Sequence, residues 1–191
     1  MANKGLILDE PDERIEFLAT TADTNGELVR CRIRVAPGRP APPEHSHPRQ
    51  QETFSVEQGR MGIIVGKETL EADAGQVVVV PVGTNHTFWN AGDGSLVVVG
   101  DIRPALRVED FVETIHVLIR DGKLRAGGKG ANPLLMAVVA REFRREWRLT
   151  RLSPIVRGLL PLLAAVGRLA GYRGRHSIGG ERADREIATT V

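Results

Sequence analysis

The sequence contains a single cysteine, Cys31, so no disulfide can form within the chain and a disulfide-stapled scaffold is excluded. Long apolar runs are also missing. The most apolar stretch, residues 158–167, is bracketed by Arg157 and Arg168 and interrupted by Pro161, whereas a spanning helix needs about 20 predominantly apolar residues. No apolar leader follows the start Met1-Ala2-Asn3-Lys4, and together with the lone cysteine this leads us to expect a non-secreted, cytoplasmic protein. A strong charge of one sign is absent too, with a formal net charge of +2. It is unevenly spread. Residues 1–130 hold 15 Lys+Arg against 19 Asp+Glu, and residues 131–191 hold 11 against 5. The basic end is scattered along helical segments, with no helix-turn-helix pattern and no interleaved aromatics, so nucleic acid is not an expected partner. Contact of the last helix with a membrane surface is the less favoured reading; packing on the barrel or on a second subunit is preferred.

What is present, up to about residue 105, is a series of short apolar runs separated by turn signals. Residues 14–19, 27–35, 53–58, 60–65, 68–72, 76–80, 86–89 and 95–102 read as strands, a spacing typical of a sandwich or barrel. Residues 27–35 alternate almost strictly, with Leu28, Arg30, Arg32 and Arg34 opposing Val29, Cys31, Ile33 and Val35, so one set faces a core and the other faces water. The parity is not fixed by the sequence, and an inward arginine would favour an anionic substrate. Five prolines in residues 37–48 make that segment a loop.

After Pro104 the period changes to that of helices. Residues 108–120 carry an amphipathic pattern, and a Gly/Lys-rich loop over 121–130 suggests mobility. Asn132-Pro133 starts a second helix running to about Thr150. Ser153-Pro154 starts a third ending near Gly171, which Pro161 is expected to kink or break. The expected organisation is a barrel over residues 1–105, a helical extension over 106–172 and a poorly ordered tail over 173–191.

The chemistry concentrates in His45-Ser46-His47, with Glu52 five residues on and His86 following the Pro81-Val82-Gly83 turn. Residues i and i+2 of a strand point to one side, so His45 and His47 can share an ion. Three imidazoles and a carboxylate suit Fe, Mn, Ni, Cu, Co or Zn, and the ligand types alone do not choose among them. Phe54 and Phe88 are candidate pocket walls, although alternating aromatics in a small barrel usually pack the core. Asn90 reads as a turn residue bonding backbone.

These residues carry a family resemblance. His45-x-His47-x4-Glu52-x6-Gly59 and Gly75-x5-Pro81-x-Gly83-x2-His86-x3-Asn90 resemble the two motifs of the cupin superfamily. The second motif matches at each fixed position. The first departs in having six residues between Gly38 and His45, where the family usually has five. The resemblance covers roughly residues 28–103 and implies a mainly β fold, a double-stranded β-helix or jelly-roll barrel, here followed by two or three C-terminal α-helices. It also implies His45, His47, Glu52 and His86 as ligands of one divalent transition metal. The sequence after the barrel is similar to that of small bacterial single-domain cupins with a helical extension, a group tied to no single activity. The leading expectation is an oxygen-dependent, dioxygenase-like oxidoreductase acting on a small organic molecule. The alternatives are a non-redox metal-dependent isomerase or cyclase, and a non-catalytic small-molecule-binding or sensing module. A homodimer is expected, paired through barrel edges or the apolar helices.

Overall fold

Alternating side chains give the strands two distinct faces, and two sheets bury their apolar faces against each other. The computed structural model describes residues 4–178. Its strands are β1 (Ile7–Glu10), β2 (Glu13–Ala19), β3 (Val29–Val35), β4 (His45–Ser46), β5 (Gln51–Gln58), β6 (Arg60–Val65), β7 (Glu68–Asp73), β8 (Val77–Val80), β9 (His86–Asn90), β10 (Leu96–Arg103) and β11 (Arg148–Leu149). One sheet runs β1-β2-β3-β10-β5-β8 and the other β11-β4-β9-β6-β7. The fold is therefore a mainly β jelly roll, followed by helices α1 (Val108–Arg120), α2 (Pro133–Glu142) and α3 (Pro154–Leu169).

Between the sheets, Phe54 and Val56 of β5, Met61 and Ile63 of β6, and Leu96 and Val98 of β10 form the barrel core. The parity of β3 places Val29, Cys31 and Val35 inside. Its arginines face outward, Arg30 pairing with Asp101 at 2.6 Å and Arg32 with Glu57 at 2.9 Å. That strand therefore brings no arginine into the barrel. Asn90 acts as a turn device, its Nδ2 donating to the carbonyls of Val35 and Gly94 while its Oδ1 accepts the Gly92 N–H.

The helices differ from expectation in two places. α2 stops at Glu142 instead of continuing to about Thr150. Beyond it Phe143 and Trp147 turn inward to join Phe111, Leu118 and Leu135 in an apolar cluster, and the chain then pairs as β11 against β4. A helix prolonged through Arg144, Arg145 and Arg148 could not bury those two aromatics and form the strand as well. α3 continues through Pro161 without a break. The missing N–H leaves the Arg157 carbonyl without its intrahelical donor, but Pro161 is exposed, so water can satisfy that carbonyl.

α3 packs on α2 through Leu160, Leu163 and Ala164. Gly167 permits the approach, since a Cβ there would lie 2.7 Å from Val138 and 2.8 Å from the Leu134 carbonyl oxygen. The opposite face of α3 is open: Ile155, Leu159, Leu162, Val166 and Leu169 are all exposed. Among the described residues no helix is long and apolar enough to cross a membrane. Residues 173–178 run along α1, where Arg175 pairs with Asp110 at 2.9 Å and the Ile178 N–H donates to Glu113 at 2.9 Å. The rest of the tail expected to be poorly ordered lies outside the described residues.

Candidate metal centre

Both sheets contribute to one cluster. His45 of β4 sits directly opposite His86 of β9, the first residue after the Pro81-Val82-Gly83 turn and its short lead, in an antiparallel pair. Glu52 projects inward from β5 of the facing sheet, two residues before Phe54 and with the same parity. His47 lies just beyond β4. One ligand atom from each of His45, His47, Glu52 and His86 falls within 4.8 Å of the others. All four residues are buried, His86 completely.

Each imidazole is held by its other nitrogen. His45 Nδ1 donates to the Pro43 carbonyl at 2.8 Å, His86 Nδ1 to the Thr84 carbonyl at 3.0 Å, and His47 Nδ1 to the Glu146 carbonyl at 2.5 Å. A proton fixed on Nδ1 leaves Nε2 as a lone-pair donor, the tautomer a metal requires. All three Nε2 atoms are thus prepared to ligate. Glu52 Oε2 lies 2.8 Å from His86 Nε2 and 3.4 Å from His47 Nε2. With the His86 proton on Nδ1, its Nε2 and Glu52 Oε2 are two buried acceptors facing each other with no donor, and neither has a hydrogen-bond partner.

Such a set needs positive charge at its centre. A proton can supply part of it: burial is the largest influence on His47 and depresses its pKa, but the bond to Glu52, the charge of Glu52 and the Glu146 carbonyl together outweigh burial, and the pKa rises. Glu52 is itself pushed up by burial, yet the imidazoles of His47 and His86, which when protonated donate to it and face it with positive charge, hold it well below the usual carboxylate range. His45 is lowered to about 3, first by burial and then by the neighbouring His86 and His47. A divalent cation answers the same need for the whole cluster, and mixed nitrogen and oxygen donors fit a first-row transition metal.

The flanks of the site are apolar. Phe54 and Phe88 stand one pleat along from Glu52 and His86 and contact each other at 4.9 Å between ring centroids, inside the barrel core. On the other side the C-terminal extension covers the cluster. The Trp147 ring lies 5.9 Å from that of His45, and β11 pairs Arg148 with Ser46 and Leu149 with His45. Sequence reasoning missed Glu146 and Trp147, because pairing across about a hundred residues leaves no local pattern. The Gly/Lys-rich loop expected to be mobile also supports the site, for Gly127 and Gly128 press against Pro40 and Pro43 just ahead of His45.

Outside the cluster, Cys31 is buried and its thiol is pushed above its ordinary value, by burial first and by the charge of Glu52 second. His116 on α1 is bonded to Glu10 at 3.1 Å and takes no part in the centre.

Residues 31–100 match the family model for the cupin domain. A 54-residue segment is 44% identical to the probable oxidoreductase VirH of Hypocrea virens, covering 28% of this chain and 25% of that protein. The chain thus spans about a quarter of the length of the curated relative it matches. Among solved structures it is similar to an uncharacterized conserved protein with a double-stranded β-helix domain from Klebsiella pneumoniae, at 19% identity over 51% of this chain and 82% of that one, with a TM-score of 0.44. It is also similar to KdgF from Halomonas sp., at 21% identity over 52% of this chain and 86% of that one, with a TM-score of 0.45.

Proposed function

The chain belongs to the cupin superfamily, and on that premise we propose that it is a metal-dependent enzyme that oxidises a small organic molecule with dioxygen. The observation that carries the reading is the convergence of three Nδ1-anchored imidazoles and Glu52 on one buried point. The partial likeness to a probable oxidoreductase supports oxidation as the reaction class. His45, His47, Glu52 and His86 would hold the ion. When bound, a divalent transition metal supplies redox chemistry, or Lewis acidity, to a substrate beside it.

The chain's own residues supply the rest. The carbonyls of Pro43, Thr84 and Glu146 keep each imidazole in one tautomer and orientation. Glu52 stays ionised, so it presents charge to the ion without first losing a proton. Phe54 and Phe88 on one side and Trp147 on the other exclude water, which strengthens every electrostatic contact within. Because all four ligand residues are buried, a substrate reaches them when the Trp147 cover is displaced, a gating step of the kind that often limits turnover. We also infer a homodimer joined through α3. Its exposed residues Ile155, Leu159, Leu162, Val166 and Leu169 recur at alternating steps of four and three, the spacing of a coiled-coil seam.

Oxygen consumption by the Fe(II)-loaded protein, measured against a panel of small phenols, enols and hydroxy acids, tests the reading. Uptake coupled to product formation is expected for at least one class. Turnover that persists without oxygen would replace oxidation with isomerase or cyclase chemistry. Retained binding with no product would leave a binding module.

A further inference from the structure

Outside the barrel, behind Trp147, the end of α2, the start of α3 and β11 enclose a groove of about 290 Å³. Its rim carries Arg141, Arg144, Arg148 and Arg157, and its floor includes Trp147 and Leu160. Among the described residues none of these four guanidinium groups has a carboxylate within ion-pairing distance. Arg144 donates only to the Arg141 carbonyl and Arg157 only to the Thr150 carbonyl, each at 3.4 Å. The nearby Glu142 is already engaged by Arg107 at 3.0 Å and Arg168 at 3.3 Å. By contrast, Arg30, Arg32, Arg39 and Arg60 each face an acid. The groove therefore concentrates positive charge that no carboxylate among the described residues pairs with.

We propose that this groove is a binding site for an amphiphilic anion, a carboxylate or phosphate monoester carrying a short apolar body. The arginines recognise the head, since guanidinium groups form charge-assisted and often bidentate bonds to carboxylate and phosphate. The indole of Trp147 and the Leu160 side chain receive the apolar part. The volume lies at the lower edge of small-molecule pockets, roughly 300–1,000 Å³, so a medium chain fits and a long one does not. Position adds a consequence. Trp147 forms the floor of this groove and at the same time covers His45, so an occupant would rest on the cover of the metal centre. The inference stands on the groove alone and does not depend on the reaction proposed above.

Calorimetric titration of the full-length protein with octanoate tests it, alongside octanol and an Arg144→Gln/Arg148→Gln variant. Both arginines are exposed, so the variant should keep its fold, which far-ultraviolet circular dichroism verifies. One octanoate per chain is expected to bind saturably and to change the tryptophan fluorescence, with affinity roughly tenfold or more weaker in the variant. Octanol should not saturate. Cosedimentation with vesicles containing phosphatidic acid, whose head group is a phosphate monoester, separates the two sources of such an anion. Pelleting lost in the double variant would place the head group on a lipid, and octanoate binding without pelleting would place it on a free molecule. Absence of saturable binding in both arms, unchanged affinity in the variant, or equal binding of octanol would overturn the proposal.

Discussion

The carbonyl oxygen of Glu146 accepts the Nδ1 proton of His47, a hydrogen bond between residues 99 positions apart. The helical extension is thereby part of the candidate metal centre: one of its backbone groups fixes the tautomer of His47, and the ring of the neighbouring Trp147 lies over His45.

Trp147 gives the first expectation. Trp147→Ala removes a buried ring from a cluster shared with Phe111 and Phe143 and should cost about 3–5 kcal/mol in unfolding free energy. Trp147→Phe keeps most of the packing and should cost less, while loosening the cover over His45. Metal affinity in the Phe variant should fall, by up to roughly the 10–100-fold seen when ligand-supporting contacts are lost. Metal release followed with a chromogenic chelator measures it. Release at the parental rate would mean that the cover does not guard the site.

Cys31 should be chemically silent in the folded protein. Its thiol is buried and its pKa raised, so iodoacetamide at pH 8 should label it only after unfolding. The linkage has a defined sign. The unfolded thiol loses its proton above about 8.5 while the folded one keeps it, so stability from this group is fully present below that pH and declines as pH rises beyond it. A Cys31→Ala variant should lose this part of the alkaline decline in urea midpoint.

Gly62 marks a tight cross-strand contact. It pairs with Trp89, and a Cβ at residue 62 would lie 2.3 Å from the indole. Gly62→Ala should therefore displace Trp89 and destabilise the fold by about 1–3 kcal/mol through overpacking. A lowered urea midpoint with a shifted tryptophan emission would show both effects, and an unchanged emission would mean the ring has not moved.

The stripe on α3 should hold two chains together. Sedimentation equilibrium is expected to give twice the 20.8 kDa chain mass, and Leu162→Arg, at the middle of the stripe, to give the single mass. A parent protein that sediments as one chain would remove the helix-pair reading.

Much of the barrel and of the clustering of His45, His47, Glu52 and His86 was legible because the signals are local. His45 and His47 share a face by strand parity, Pro81-Val82-Gly83 marks the turn ahead of His86, and β6 and α1 have the limits their patterns suggest. The parity of β3 was not legible, since alternating arginines and apolar residues fit either orientation until Asp101 and Glu57 are seen to meet the arginines. The end of α2 was not legible either. Residues 141–151 have good helix formers, and only the pull of Phe143 and Trp147 into a distant cluster, with β11 pairing onto β4, overrides that propensity. Glu146 acts through its backbone, which no side-chain pattern announces.

The most direct test is the metal content of the purified protein beside a His86→Ala variant, each offered a mixture of first-row metals without chelator and measured by plasma mass spectrometry. Near one equivalent of a divalent transition metal in the parent, with most of it lost in the variant, is the expected result. No stoichiometric metal in the parent, or equal content in both, would contradict a metal centre built from His45, His47, Glu52 and His86.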